Sequence, residues 1–346
     1  MTGAATGALM RAVEFDNHGP FENLTERMIA VPVPEGDECL VRVKAVSLNG
    51  FDPMVMRGIP GLRTPLPMVP GADISGVIET LSPAAEAAGF TVGQRVGVNP
   101  SQPDGMMGET KRGGLCEFIT VKPEYLLPVP DAVNDHDAAC LPTAYATAYR
   151  MLHARGQLQA GERVLILGAS GGVGTCCIQL AKAAGAEVVA VTSSEEKGRA
   201  LKALGADHVV DASREKFVDF VWQTYGKPRT KGQGGGVDIC VNYSGGELWA
   251  ESFRAVRLGG RIVTCGATAG YNPPTDIRYI WSFEHTILGS NGWKNSDHLK
   301  MLDLIATGAV KPVIDRVIDM GEVMPALRDL HERRVVGKVV LEVGPK

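Results

Sequence analysis

A glycine-rich segment between two apolar runs constrains this chain more than any other feature of its sequence. It reads RVLILGASGGVGTCCIQLAKAAGAEVVAVT from Arg163 to Thr192. The apolar runs predict strands, and the small residues after the glycines predict a helix. In that context, glycines let free N–H groups at a helix N-terminus approach a pyrophosphate. The segment therefore predicts a dinucleotide site, and the alternative is a glycine-rich turn that binds no nucleotide.

Size and composition indicate an ordinary globular protein of two domains. The chain has 346 residues, of which 45% are hydrophobic and 21% charged, and its formal net charge is −4. This charge argues against nucleic acid or an anionic membrane as a partner, and no apolar run approaches the ~20 residues that span a bilayer. The N-terminal stretch lacks the regions of a secretory signal, and the seven cysteines show no CxxC spacing. We expect a cytoplasmic location and reduced thiols.

The pattern of apolar residues and of Pro and Gly changes along the chain. The first ~130 residues hold short alternating runs broken by Pro and Gly, which predict antiparallel β structure. Residues 134–155 predict one or two helices, and residues 99–114 a surface loop. From residue 161 to 289, six apolar strands alternate with helical patterns, which predicts a doubly wound parallel sheet. The tail from Trp293 predicts two helices and a final strand, and we expect it to pack on the N-terminal domain.

Several motifs occur in a fixed order from about residue 10 to residue 344. They are AVSLNGFDPMVMRG (45–58), PMVPGADISGVIE (67–79), LPTAYATAYRML (141–152), GASGGVGTCCIQLAKAAGAEVVAVTSSEEK (168–197), LGADHVVD (204–211), LGGRIVTCGA (258–267) and GKVVLEV (337–343). Together they resemble the medium-chain dehydrogenase/reductase superfamily, in its zinc-independent, quinone-oxidoreductase-like branch. The resemblance implies an α/β protein with a GroES-like, β-rich catalytic domain (1–138 and 292–346) and a Rossmann domain (139–291). It also implies an active site in the cleft between the domains, and hydride transfer with a nicotinamide cofactor.

The resemblance identifies where zinc-dependent members bind their catalytic metal. Those positions hold Asn49, Ala72 with Asp73, and Thr143 in this chain. Only Asp73 is a good zinc ligand, and a catalytic site needs three protein ligands. The cysteines of the structural zinc lobe are also missing from residues 99–114. We expect no zinc, and the alternative is a shifted register in which Cys140 contributes.

The residues after the second parallel strand favour NADPH over NADH. NAD-dependent proteins usually carry an Asp or Glu there, whereas this chain has Thr192, Ser193, Ser194 and then Lys197. Hydroxyls and an ammonium can bind a 2′-phosphate, although Glu195 and Glu196 lie beside them. The alternative is that the serines cap the next helix and Lys197 is solvated. The full set of cofactor contacts implied by the resemblance is Thr147, Ser170, Gly171, Gly172, Val173, Thr192, Ser193, Ser194, Lys197, Ser244, Gly266, Ala267, Asn291 and Lys338.

Without zinc, reducing an activated C=C bond is easier than oxidising an alcohol. Alcohol oxidation needs a group that stabilises an alkoxide, whereas an enolate needs only hydrogen-bond donors and a proton source. The catalytic candidates are Asn49, Asp52, Asp73 and Tyr145. The amide of Asn49 would position the nicotinamide or donate to the substrate carbonyl, and the carboxylates would orient the site or form plain salt bridges. Tyr145 is a candidate proton donor or pocket wall, and its alternative role is structural.

A group of apolar residues resembles the corresponding segment of crotonyl-CoA-reductase-like members. Tyr279, Ile280, Trp281 and Trp293 would form a wall for an extended enone, and the alternative is core or dimer-interface packing. We predict an NADPH-dependent, zinc-independent oxidoreductase that transfers hydride to a quinone or an α,β-unsaturated carbonyl (enone, enal or enoyl thioester). It would act on a small molecule as a homodimer. The alternatives are a zinc-type alcohol dehydrogenase and an NADPH-binding protein with little turnover.

Overall fold

A computed structural model of the chain describes residues 7–344. Its strands are β1 (Leu9–Glu14), β2 (Thr25–Ala30), β3 (Cys39–Leu48), β4 (Asp73–Thr80), β5 (Arg95–Val98), β6 (Ser101–Gln102), β7 (Gly105–Met106), β8 (Phe118–Val121), β9 (Leu126–Pro128), β10 (Arg163–Ile166), β11 (Glu187–Thr192), β12 (His208–Asp211), β13 (Val237–Val241), β14 (Val256–Thr264), β15 (Thr286–Gly289), β16 (Ile314–Ile318) and β17 (Lys338–Glu342). Its α-helices are α1 (Asp52–Arg57), α2 (Pro83–Ala87), α3 (Asp135–Ala139), α4 (Thr147–Tyr149), α5 (Gly172–Ala183), α6 (Glu195–Ala203), α7 (Phe217–Tyr225), α8 (Gly246–Ala255), α9 (Ile277–Ser282), α10 (Asn295–Ala306) and α11 (Val323–His331). None of these helices is both long and apolar enough to cross a membrane.

The chain divides into two compact units. One comprises the residues up to Thr143 and from His298 onward, and we call it the β-rich unit. The other, Ala144–Asp297, we call the parallel-sheet unit.

The parallel-sheet unit contains six parallel strands in the order β12-β11-β10-β13-β14-β15. This confirms the predicted doubly wound sheet. The strand order reverses at β10, because β11 lies on one side of it and β13 on the other. The inner strands are buried on both faces, which is why they read as continuous apolar β-branched runs rather than as alternating ones. Ligands of such sheets bind at the point of reversal, beyond the carboxyl ends of the strands.

The β-rich unit is built around β3. Its main sheet runs in the order β16-β17-β3-β4-β5-β9, and β8 also pairs with β3. Strand β3 is almost entirely buried, and each fully buried Val or Leu contributes about 1.5–3 kcal/mol. Strand β17 pairs antiparallel with β3, so the C-terminal tail packs on the N-terminal part of the chain, as predicted.

The structure differs from the predicted elements in a few places. Residues 134–155 are not regular helix, because π-helical turns at Leu141–Ala146 and Arg150–Arg155 flank α4. Pro142 lies in the first of these turns and has no N–H to donate to an i−4 carbonyl. The predicted loop 99–114 contains the short hairpin β6–β7.

Candidate functional site

The glycine turn of the parallel-sheet unit joins β10 to α5 through two positions that require glycine. Gly168 has φ +67°, in the left-handed region that favours glycine. A Cβ on Gly174 would lie 2.5 Å from the Cα of Ala169, so only glycine lets the helix pack this closely on the turn. Gly171 caps α5, whose first N–H groups have no acceptors within the helix. The turn thus offers a pyrophosphate a set of donors and the positive end of a helix dipole.

Tyr243 hydrogen-bonds to the backbone of this turn. It was not predicted from the sequence. Its hydroxyl donates to the carbonyl of Gly168 at 2.6 Å and accepts from the N–H of Gly174. Burial raises the pKa of Tyr243 well above its usual range, so the hydroxyl keeps its proton. Tyr243 lies just beyond the carboxyl end of β13, in the segment VNYSGG. Its position after a predicted parallel strand was the signal that could have identified it.

The predicted cofactor residues of this unit gather at one edge of the sheet. Because the strands are parallel, their carboxyl ends meet at the same edge, which we call the carboxyl edge. Each group of residues follows the end of one strand. These are Ser170, Gly171, Gly172 and Val173 after β10, Thr192, Ser193 and Ser194 at the end of β11, Ser244 after β13, Gly266 and Ala267 after β14, and Asn291 after β15. Thr147 begins α4, a helix that packs against α5.

Thr192 ends β11 with a buried hydroxyl that has no hydrogen-bond partner among residues 7–344. A bound ribose or phosphate would supply that partner, so this residue fits a dinucleotide. Ser194 caps α6 by accepting from the N–H of Lys197 at 3.4 Å. Ser194 therefore has the capping role that was given as the alternative for the two serines. Ser193 is exposed and does not cap the helix.

Arg214, a basic residue not predicted from the sequence, contacts two acidic residues near this segment. Arg214 contacts Glu195 at 3.1 Å and Asp211 at 3.8 Å. The hydroxyl and N–H of Ser213 hold the pKa of Asp211 below its usual range, so this carboxyl is ionised at neutral pH. Arg214 therefore neutralises acidic charge that would otherwise repel a 2′-phosphate.

Tyr145 lies within a π-helical turn, and its side chain is 0% exposed in this structure. Its backbone carbonyl faces the thiol of Cys176 at 3.8 Å. A ring enclosed in this way fits the structural alternative better than the role of proton donor.

The ends of three neighbouring strands build a polar cluster in the β-rich unit. Asn49 follows β3, Asp73 begins β4 and Lys338 begins β17. Strand β3 lies between the other two, and the pairing of Leu48 with Val339 sets Asn49 opposite Lys338. The Lys338 ammonium donates to Asn49 Oδ1 at 2.5 Å and to Asp73 Oδ2 at 3.2 Å. The amide of Asn49 also donates to Asp73 Oδ2, at 2.9 Å.

Thr143 completes this cluster, which we call the strand-end network (Asn49, Asp73, Thr143 and Lys338). Its N–H and hydroxyl both donate to Asp73 Oδ1, at 2.8 and 2.5 Å. Asp73 is 0% and Lys338 2% exposed, so this is a fully buried ion pair. Lys338, predicted to contact the cofactor, has two of its three N–H groups committed to the network.

The network also limits the predicted role of Asn49. One amide hydrogen is directed to Asp73 and the other to the carbonyl of Ser47 at 3.4 Å, while Oδ1 accepts from Lys338. The side chain has no donor left for a substrate carbonyl in this arrangement. Asn49 is therefore placed to orient Lys338 and Asp73 rather than to donate directly.

Asp52 lies beside the network at the start of α1. Its Oδ2 accepts from the N–H of Asn49 at 2.7 Å, and its buried Oδ1 has no hydrogen-bond partner within the described chain. Burial raises the pKa of Asp52 to about 7, against the opposing effects of the Asn49 N–H and the Lys338 charge. This carboxyl is thus half protonated near neutral pH.

Two of the apolar residues predicted to form a substrate wall pack into the parallel-sheet unit instead. Tyr279 and Ile280 pack against the core of the parallel-sheet unit, and Tyr279 stacks on Phe283. The carbonyl of Phe283 accepts from the N–H of Gly259, near the amino ends of β14 and β15. Core packing, one of the alternatives for these residues, is what the structure shows for Tyr279 and Ile280, whereas Trp281 is 69% exposed.

Both units match known protein families. Residues 35–131 match the alcohol dehydrogenase GroES-like domain, and residues 172–307 match the zinc-binding dehydrogenase family. A crotonyl-CoA reductase of Streptomyces avermitilis is 34% identical over 69% of this chain, which spans 56% of that protein. The 2-methylene-furan-3-one reductase of Solanum lycopersicum is 32% identical over 97% of this chain and 80% of its own length. The quinone oxidoreductase of Mus musculus is 29% identical over 97% of this chain and 99% of its own length.

A solved structure shares the whole fold. A crystal structure of an NAD-dependent alcohol dehydrogenase is 33% identical, with a TM-score of 0.88 over 97% of this chain and all of that one. A parallel sheet with a glycine turn at its carboxyl edge, joined in one chain to a GroES-like unit, defines a nucleotide-dependent dehydrogenase or reductase. The chain belongs to the medium-chain dehydrogenase/reductase superfamily, in its quinone-oxidoreductase-like branch.

The residues at the family's catalytic metal position do not fit zinc. Asn49 and Thr143 offer an amide and a hydroxyl, and Asp73 is already paired with an ammonium. Burial raises the pKa of the thiol of Cys140, the alternative ligand, to about 12, whereas zinc binds the thiolate. Among residues 7–344, no three His, Cys, Asp or Glu side chains are grouped so as to hold a metal ion.

Proposed function

We propose that this chain is an NADPH-dependent reductase that transfers hydride to a quinone or an α,β-unsaturated carbonyl without using zinc. One observation carries the proposal: the residues at the family's metal position hydrogen-bond to one another and to the ammonium of Lys338. The relatives named for the reduction of a quinone, a crotonyl thioester and an enone support the same class of substrate.

The two units would contribute different parts of this reaction. NADPH supplies the hydride when it is bound. In the parallel-sheet unit, which we propose as the Rossmann domain, the glycine turn would hold the pyrophosphate and the carboxyl edge the rest of the dinucleotide. In the β-rich unit, Lys338 has one N–H left to polarise an acceptor oxygen, while Asn49 and Asp73 fix its position. Asp52, with a pKa of about 7, is suited to exchange a proton near neutral pH.

NADPH rather than NADH is the cofactor we propose. The absence of a carboxylate at the end of β11 and the neutralising contact of Arg214 support this choice. Lys197→Ala should raise the KM for NADPH at least ~5-fold more than the KM for NADH, because it removes one charge near the 2′-phosphate. Lys300→Ala, an exposed lysine of the β-rich unit, is the matched control. Equal effects on the two cofactors would show that Lys197 does not contact the 2′-phosphate.

A panel assay tests the reaction itself. Purified protein is mixed with NADPH and with quinones, enals, enones and enoyl thioesters, before and after chelation and with its metal content measured. We expect NADPH oxidation with at least one acceptor, at a rate that chelation does not change. About one zinc per chain, lost together with activity, would establish the alcohol dehydrogenase alternative. Tight NADPH binding without turnover on any acceptor would favour the nucleotide-binding alternative.

We propose a homodimer that pairs through β15. This strand ends the parallel sheet, so one of its edges is unpaired within the described chain. Ile287 of β15 and Trp281 of the preceding helix are 39% and 69% exposed. Light scattering should show a dimer for the native chain and a monomer for Ile287→Pro, which removes an edge N–H. A dimer that survives this substitution would place the interface elsewhere. The cytoplasmic location stays a prediction.

A further inference from the structure

We infer that Lys338 is a built-in cation that occupies the metal position of this fold and takes over its electrostatic role. The inference deepens the proposed function and rests on its zinc-free chemistry. It goes beyond cofactor binding, the role predicted for Lys338 from the sequence. It also predicts which single group prevents this chain from binding a metal there.

The first argument is positional. The three places that hold metal ligands in zinc-dependent members converge here as Asn49, Asp73 and Thr143. The Lys338 ammonium lies among them, 2.5 Å from Asn49 Oδ1 and 3.2 Å from Asp73 Oδ2. Asn49 Oδ1 and Asp73 Oδ2, two oxygens that could bind a metal ion, therefore already bind an ammonium. This ammonium belongs to a side chain of β17.

The second argument concerns charge. Asp73 is completely buried, and an unpaired carboxylate in such a place is strongly disfavoured. Thr143 and Asn49 supply only neutral donors, so the full positive charge that compensates Asp73 within the network is that of Lys338. A divalent ion at the same place would have to sit within a few ångströms of this ammonium, which would repel it.

The third argument is structural. Strand register, rather than a flexible side chain, sets the ammonium where it is, because β17 pairs with β3 next to Asn49. The Lys338 side chain is enclosed and both of its acceptors are themselves hydrogen-bonded. A cation held in this way cannot leave when the substrate or cofactor changes, whereas a bound metal ion can dissociate.

The decisive experiment builds a metal site with and without the ammonium. One full-length variant carries Asn49→Cys, Ala72→His and Thr143→Cys, which restore the ligand types of zinc-dependent members. The second carries the same changes plus Lys338→Met, which keeps most of the length of the unbranched side chain and removes its charge. Binding of Co²⁺ is followed by its thiolate charge-transfer absorption, which needs no turnover and therefore tests this inference separately from the proposed function.

We expect the variant without the ammonium to bind Co²⁺ at least ~10-fold more tightly than the variant that keeps it, because one repulsive charge has been removed. Equal affinity in the two variants would overturn the inference, and so would a complete lack of binding in both. Circular dichroism checks that both variants are folded.

A second measurement uses a milder change, in case the ligand variants do not fold. Lys338→Ala removes the ammonium and leaves a cavity beside Asp73. Propylammonium should raise the Tm of this variant, while 1-propanol at the same concentration, a neutral molecule of similar size, should not. Equal effects of the two additives would mean that Lys338 only fills space, and the inference would fail. The native chain is the control for general effects of either additive.

Discussion

Asp52 makes the stability of the β-rich unit depend on pH. Burial raises the pKa of this carboxyl from 3.8 to about 7 in the folded chain. Between these two values the folded state keeps a proton that the unfolded state releases, so the free energy of unfolding falls as pH rises. At about 1.4 kcal/mol for each pH unit, the full interval corresponds to on the order of 4 kcal/mol. This loss of unfolding free energy is complete above the pKa that Asp52 has in the folded chain. It is absent below the pKa that Asp52 has in the unfolded chain.

Asp52→Asn should remove this dependence. An asparagine amide resembles the protonated carboxyl, and its oxygen can still accept from the N–H of Asn49. The unfolding free energy of the variant minus that of the native chain should rise by about 3 kcal/mol from pH 5 to pH 8. The reason is that only the native chain has a buried carboxyl that ionises over this interval. Asp37→Asn, at an exposed position of the same unit, should show no such gain.

The assay has to report on the β-rich unit. All four tryptophans lie in the parallel-sheet unit, so their fluorescence follows the unfolding of the other half of the chain. Amide hydrogen exchange of peptides that cover residues 45–58, in both chains and over the pH range, measures the local opening free energy instead. The reasoning fails if Asp52→Asn changes that free energy by the same amount at pH 5 and at pH 8.

Three further substitutions test the glycine turn and its neighbours. Gly174→Ala should weaken NADPH binding more than ~10-fold and destabilise the fold by about 1–3 kcal/mol, because the new Cβ meets Ala169; unchanged titration and urea curves would contradict this. Tyr243→Phe should raise the Kd for NADPH about 5-fold, since the carbonyl of Gly168 loses a hydrogen bond of about 1 kcal/mol; an unchanged Kd would show that the turn does not need this bond. Thr192→Val should leave the free protein as stable or slightly more stable, because it removes an unpaired buried hydroxyl, but should weaken NADPH binding; equal binding would mean that the hydroxyl does not contact the cofactor.

The fold was predictable where the burial of an element produces a simple pattern of apolar residues in the sequence. The strands of the parallel sheet are buried on both faces and therefore read as short β-branched runs. Strand β2 (Thr25–Ala30) was not predicted, because most of its side chains are exposed and carry no apolar alternation. The π-helical turns beside α4 were also missed, since a one-residue expansion of a helix changes its hydrogen bonds but not its composition.

The site was predictable only in part. Motif resemblance identified Asn49 and Asp73, because each lies in a recognisable local segment. The place of Lys338 beside them depends on the pairing of β17 with β3, across 289 residues of sequence. No local pattern shows such a register, so the lysine was predicted as a cofactor contact instead. The partner of Tyr243 in the glycine turn and the partner of Arg214 at the start of α6 are likewise distant in sequence, so neither contact shows as a local pattern.

The separation between Asn49 and Lys338 also sets an order of events during synthesis. The parallel-sheet unit is one continuous stretch of chain, whereas the β-rich unit is made of two stretches on either side of it. A contiguous domain can fold as soon as it leaves the ribosome. The parallel-sheet unit can therefore form first, whereas Asp73 has no charge partner until β17 has been synthesised. During that interval the half-built β-rich unit exposes the edge of β3 that β17 later covers, and an unpaired strand edge is a template for pairing with another chain.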